Sequence, residues 1–285
     1  MNSSFLNKIY GWSFLIILVA GLTWGLMKIP SDLRSMQIKA FGIQPEAQDM
    51  AKYLLKYSSM IHGIDSLEKY ASKTLTFRNY WEPAPGAAFR PWKENGQLVS
   101  FNMENRPGYF QTATFLDGPN QGDVWGTENK TSFKISSFTG EKKYEEDPNL
   151  QLWLPTFHFL FEAGFKLLDA EMISYDNVDT LADGQTYHKV FVTWESVDPI
   201  MGADQMICYI NTETLVFEKL HYTCRESDFG FFTATIHYLD FERNYGILEA
   251  QKSIITYGDP HNSLTGDTVV LHTIEMVEPA KYDLK

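Results

Sequence analysis

Ten runs of alternating apolar and polar residues follow one another between Thr74 and Val277, and this period of two constrains the fold more than any other feature of the chain. They read TLTFRNYW, GQLVSFNM, GYFQTATFLD, TSFKISSF, YHKVFVTWES, DQMICYI, LVFEKLHYTC, FFTATIHYLDF, ILEAQKSIITY and DTVVLHTIEMV, and most are bounded by Gly, Pro, Asn or Asp. No helix separates successive strands in a regular rhythm, so the sheet is expected to be antiparallel and strongly twisted or curled. Aromatic residues make up 15% of the chain, which suits pleated, half-buried surfaces and points the same way.

Several of these strands are apolar on both faces. In YHKVFVTWES, His188, Val190, Val192 and Trp194 share one face while Tyr187, Lys189, Phe191 and Thr193 share the other. Such a sheet must be covered on both sides or enclose something. One reading is a core against helices on one face, with tolerated surface aromatics on the other. The other is a concave apolar face that holds an acyl chain or a similar ligand.

Helical spacing is confined to three stretches of the soluble part. Ala47, Met50, Ala51, Leu54 and Leu55 recur at helical intervals, with Pro45 and Glu46 at a suitable start and Gly63 as a stop. A second, short helix is expected from Asp65 to about Ala71. The third stretch, NLQLWLPTFHFLFEAGFKLLDAE, interrupts the strand series near its middle, with Leu160, Phe161, Phe165 and Leu168 available to one face. A helix this aromatic needs a large apolar surface to cover, either as a plug in an open sheet or as a lid over a cavity.

At the amino terminus, Ile9 to Met27 form nineteen consecutive uncharged residues. A helix of that length spans roughly the ~30 Å hydrocarbon layer, and Tyr10, Trp12 and Trp24 lie near its ends, where amphipathic rings favour the interface. A cleaved signal peptide is the alternative, but no convincing small-residue cleavage site follows. No cysteine follows either, which excludes lipoprotein processing. The expected organisation is a membrane anchor over 1–29, a stalk over 30–44 and one domain over 45–285.

Chemistry is sparse. There is no Gly-rich phosphate loop, HExxH, CxxC or GxSxG, and no two of the seven histidines have the i,i+4 spacing of a helical metal site. No catalytic residue, cofactor or metal is expected, and the chain is read as a non-enzyme. A net charge of −12 with no basic stripe argues against nucleic acid. Cys208 and Cys224 sit in consecutive strands, with a turn near Thr212–Glu213 that would set Cys208 opposite roughly position 217. That offset exceeds disulfide reach, so both are expected as packed thiols.

The order of elements carries a resemblance. The helical segment from Pro45, the strand TLTFRNYW, the loop DGPNQGDVWG, the helix PTFHFLFEAGFKLLDAE and the run TYHKVFVTWESVDPIMGADQMICYINTETLVFEKLHYT follow one another. Tyr187, Val190, Val192, Thr193, Trp194, Tyr209, Ile210, Asn211 and Thr214 carry its most regular pattern. From about Ala47 to Glu278 the chain resembles the periplasmic lipoprotein-carrier superfamily, whose members sort lipoproteins to the outer membrane, and a poorly characterised bacterial branch of it in particular. The resemblance implies an α+β fold: a strongly curved antiparallel sheet, or incomplete β-barrel, with helices filling its mouth and a hydrophobic cavity between. It also implies a single-pass location in the cytoplasmic membrane with the domain in the periplasm. The chain departs from the carriers in keeping an anchor, and Arg78 is a positional candidate for their lid-locking arginine. The function expected is binding of a hydrophobic ligand, whether lipid, acyl chain or lipoprotein, in a cavity lined by Phe77, Trp125, Phe157, Phe161, Phe165, Phe191 and Trp194. The alternative is an anchored assembly subunit of an envelope complex, with a filled core and no ligand.

Overall fold

The computed structural model describes residues 30–82, 90–104, 110–225, 232–261 and 269–285. The apolar run 9–27 expected to anchor the chain lies outside the described residues, and no helix among those described is long and apolar enough to cross a membrane. The alternating runs form one open, curved antiparallel sheet of thirteen strands among the described residues. They are β1 (Tyr70–Trp81), β2 (Leu98–Glu104), β3 (Gln111–Phe115), β4 (Val124–Glu128), β5 (Thr131–Ile135), β6 (Lys142–Glu145), β7 (Met172–Thr180), β8 (Thr186–Thr193), β9 (Gln205–Asn211), β10 (Phe217–Thr223), β11 (Thr233–Asn244), β12 (Ile247–Tyr257) and β13 (Val270–Leu284). Two meanders, β1–β6 and β7–β13, are joined where the first strand pairs with the last, Phe77 opposite Met276.

Three of these strands exceed the ten expected. β4 is centred on Gly126, where any Cβ would come within 2.4 Å of the Phe133 ring crossing from β5. The glycine that makes room for that ring also hides the strand from a propensity reading. β6, at the edge, is exposed along its whole length and has no alternation to detect. β7 carries a bulge between Tyr175 and Val178 that resets its inside-outside pattern.

The helices follow their signals more closely. α1 (Met36–Phe41) is capped by the Ser35 side chain, and α2 (Pro45–His62) starts at its proline and stops at Gly63. Gly63 has φ +92°, and a Cβ there would lie 2.2 Å from the Gly246 carbonyl oxygen, so only glycine fits. α3 is shorter than expected, Ile64–Leu67, because Tyr70 already pairs with Leu284 as strand. α4 (Pro148–Phe161), capped by Asp147, and α5 (Ala163–Lys166) carry the chain from one sheet edge, β6, to the other, β7. α4 packs on β3, β4 and β5, and α2 packs on β7 and β12.

The two-faced strands have two covers. Val190, Val192, Met206, Cys208 and Ile210 belong to the main core under the helices. Tyr187, Phe191, Ile207 and Tyr209 belong to a separate outer cluster completed by Ile38 of α1 and by Leu33. Residues 30–44, the expected stalk, thus include a helix docked on the sheet's outer face. Neither cysteine is in a disulfide, and Cys208 faces Leu220 rather than position 217. The turn is wider than expected, with Leu215 at φ +57° and Asn211 N–H bonded to Val216 O, and a bulge between Phe217 and Lys219 shifts the register further.

Candidate functional site

The helix α4 is apolar on every face, and the structure buries its faces unequally. Leu150, Leu154 and Phe157 are fully buried against the sheet. Around Phe157 the rings of Phe77, Phe101, Trp92, Trp153 and Phe161 lie with centroids 5.5–6.1 Å away, in mostly tilted or edge-on arrangements. This half of α4 is also fixed by a buried polar chain. The Thr127 hydroxyl donates to Gln111 Oε1 at 2.6 Å, Gln111 Nε2 donates to His158 Nδ1 at 2.9 Å, and His158 Nε2 donates to Glu162 Oε2 at 3.0 Å. Burial lowers the His158 pKa, which keeps the ring neutral in the tautomer that chain requires. Burial opposes ionisation of Glu162, but the His158 hydrogen bond and the charges of Lys73 and Lys166 outweigh it and hold the carboxyl low, at about 2. α4 is therefore a plug on its β3–β5 side.

Where α4 turns away from β3–β5, the packing opens. Three adjoining hollows of about 70, 290 and 370 Å³ share Leu152, Thr156, Tyr222 and Cys224 at one junction and Phe159, Asp204 and Met206 at the next. Together they form a groove between α4 and the sheet. Its floor runs across the strands at one end of the sheet: Met206 is the second residue of β9, Tyr222 the last but one of β10, Ile255 is near the end of β12, His272 is near the start of β13, and Trp81 closes β1. Tyr222 pairs with Met206 and, through Ala234, is level with Tyr257, whereas Trp81, His272 and Ile255 pair in line two residues away, so the floor spans two neighbouring levels of the sheet. The walls are aromatic at each end. Trp81 stacks on His272 at 4.0 Å and meets Trp153 edge-on at 5.0 Å, and Phe159 meets Trp194 edge-on at 6.0 Å. Full burial pushes the His272 pKa down to about 3, so the ring is neutral and the hollow at this end has no charged group in its lining, in contrast to the far end with Lys166, Asp169, Glu195 and Asp204.

The centre of the domain holds much less space. A cavity of about 50 Å³ lies beneath α2, α4 and α5, with Phe161, Phe165 and Tyr238 in its lining, room for only one or two waters. Its polar side has the buried ion pair of Lys73 and Glu249 and His62, which bonds Leu248 O through Nδ1 and accepts the Phe217 N–H at Nε2. A separate hollow of about 520 Å³ lies between α2 and β7, with Lys52, Lys56 and Asp65 among its lining residues.

The seven residues expected around a cavity are thus distributed. Phe77, Phe157 and Phe161 come together as one aromatic cluster. Phe165 adjoins them at the small central cavity, edge-on to His62. Trp125 lies at the β3–β5 side, edge-on to Phe115 and under the Lys134 ammonium. Trp194 is at the groove's far end. Phe191 is on the opposite face of the sheet, in the outer cluster. Arg78 also points away from its neighbour Phe77: it bonds Gly96 O at 2.6 Å and pairs with Asp117 at 2.8 Å, which ties it to strand ends rather than to α4. Sequence reasoning missed Leu152, Trp153, Thr156 and Phe159. Their signal was present, since a helix apolar all round implies burial all round and Leu152, Thr156 and Phe159 fall at i, i+4 and i+7.

Among the described residues no group of three or more His, Cys, Asp or Glu side chains is arranged to hold a metal ion. No family model matches the chain, and no curated protein sequence does. Solved structures do share its fold. It is similar to an outer membrane lipoprotein-sorting protein domain from Vibrio parahaemolyticus, at 7% identity and TM-score 0.51 over 82% of this chain and 93% of that one. It is also similar to a protein of the DUF1329 family from Desulfovibrio piger, at 8% identity and TM-score 0.53 over 83% of this chain and 93% of the other. The fold is that of the lipoprotein-sorting domains.

Proposed function

We propose that this protein is a non-enzymatic binder of a lipid or acyl chain, held in the cytoplasmic membrane by residues 9–27 with its domain in the periplasm. The observation that carries the reading is the groove between α4 and the ends of β9–β13. Its adjoining hollows of about 70, 290 and 370 Å³ are aromatic-walled, and the larger two fall in or near the ~300–1,000 Å³ range of small-molecule sites. The central cavity, at about 50 Å³, is too small for this role. The ligand on this reading lies beside the plug rather than beneath it. The fold shared with a lipoprotein-sorting domain agrees with an acyl ligand but does not itself establish one. The polar groups that line the groove include Thr156, the Cys224 thiol, Asp204 and, at its far end, Lys166, Asp169 and Glu195, and the role assigned to it is retention rather than turnover.

The test is native mass spectrometry of the full chain extracted in mild detergent. The expected result is a co-purifying lipid mass, lost in Thr156→Trp, which fills the junction where two of the hollows meet. A chain that carries no lipid and takes up none when lipid is added would refute the reading and favour the filled-core assembly subunit instead.

A further inference from the structure

The groove's far end is built by the loop 194–204, which joins β8 to β9 and supplies Trp194, Glu195, Gly202, Ala203 and Asp204 to its lining. That loop is tied to the first described residues of the chain. The Arg225 guanidinium, 2% exposed, donates to the carbonyls of Ile200, Ala203 and Ser31 and to Gln205 Oε1. Gln205, fully buried, accepts the Leu33 N–H at 2.9 Å and donates to Val197 O at 2.8 Å. Arg34 pairs with Asp32 and, across the gap, with Asp198 of the loop. Ser31, the loop and the groove's end are therefore one knitted corner of the domain.

Sequence length then limits where that corner can be. Ser31 lies four positions after Met27, the last of the uncharged run. At no more than ~3.6 Å per residue, Ser31 lies within about 14 Å of the end of that run. The tip of the loop is apolar and open, with Ile200 43% and Met201 50% exposed. Two of the nearby carboxylates are engaged, Asp198 by Arg34 and Asp204 by the Thr223 hydroxyl and the Arg225 N–H, while Glu195 stands exposed at the groove's rim. We infer that the Ile200–Met201 tip rests on the surface of the bilayer that holds the chain, so that the groove opens toward that bilayer and its ligand passes between groove and membrane. This rests on the anchor of the proposed function and deepens it: the source of ligand is the chain's own membrane, and the strap 30–34 sets the orientation.

The full chain in phosphatidylcholine nanodiscs that contain a nitroxide-labelled lipid tests this. A fluorophore is attached at Met201→Cys or, in a second variant, at Ala182→Cys in the exposed turn at the opposite end of β8. Eight strand residues, roughly 25 Å, separate the two ends. The unsubstituted chain measures any labelling of Cys224, and Ile200→Cys repeats the measurement should Met201→Cys not fold. The expected result is quenching at 201 at least several-fold greater than at 182. Equal quenching, or stronger quenching at 182, in a chain that migrates with the discs would overturn the inference and leave the anchor intact. A chain that migrates apart from the discs would remove the anchor and the inference together.

Discussion

Two phenylalanines two positions apart on α4 separate the plug from the groove wall. Phe157 is fully buried and ringed by five aromatic side chains with centroids 5.5–6.1 Å away. Truncation of a buried Phe costs about 3–5 kcal/mol, and the lost ring pairs, each worth about 0.5–1.5 kcal/mol beyond area, place Phe157→Ala at the upper end. A domain of this size loses about 2–4 °C of melting temperature per kcal/mol, so Phe157→Ala should melt roughly 10 °C or more below the parent. Phe159 is half-buried, with one edge-on contact to Trp194 at 6.0 Å, and it lines both larger hollows of the groove. Its truncation should cost only about 1–2 kcal/mol of stability, roughly half of a full side-chain burial. In binding it should remove about one aromatic contact, ~1.4 kcal/mol or tenfold in affinity. Thermal unfolding read by near-ultraviolet circular dichroism measures the first quantity, and lipid occupancy in native mass spectra, titrated with added lipid, measures the second. If Phe159→Ala keeps full lipid affinity while a folded Phe157→Ala loses it, the ligand lies under α4 and the groove is not the site.

Acidification should destabilise the domain. Burial holds the pKa values of His62, His158 and His221 below their ordinary 6.5, that of His237 down to about 4 and that of His272 down to about 3. The unfolded chain therefore takes up protons that the folded chain refuses, and stability is lost as pH falls below about 6.5. At pH 5, His237 and His272 would each contribute a loss of up to ~2 kcal/mol; denaturant midpoints that do not change between pH 7 and pH 5 would contradict this. Glu162, held at about 2 against an ordinary 4.5, extends the loss below pH 4.5. Gln111→Leu leaves His158 Nδ1 without its donor and the Thr127 hydroxyl without its acceptor, at about 1–3 kcal/mol for each stranded group. Lipid occupancy should be unchanged in that variant, because the polar chain lies on the plug side of α4.

Local signals in the sequence determined the local structure. Period-two alternation marks most of the strands because successive side chains point to opposite faces whatever the strand pairs with. The limits of α2 were legible because Pro45 and Gly63 act on their own backbone. That YHKVFVTWES needs two covers was legible too, and the main core and the outer cluster supply them. What each face meets is not local. The pairing of Phe77 with Met276 joins positions about 200 residues apart, and it alone decides which strands close the centre of the sheet. The outer cover of Phe191 is Ile38, from a segment that reads as a stalk because only one of its side chains is buried in α1. β6 is a strand only because β5 offers it a free edge. The aromatic residues of α4 all invite burial, and composition cannot rank them. Contact with β3–β5 took Leu150, Leu154 and Phe157 into the core and left Trp153 and Phe159 to wall the groove. Hydrophobicity is a property of a side chain and is carried by the sequence, whereas a cavity is a mismatch between two packed surfaces and exists only once both are in place.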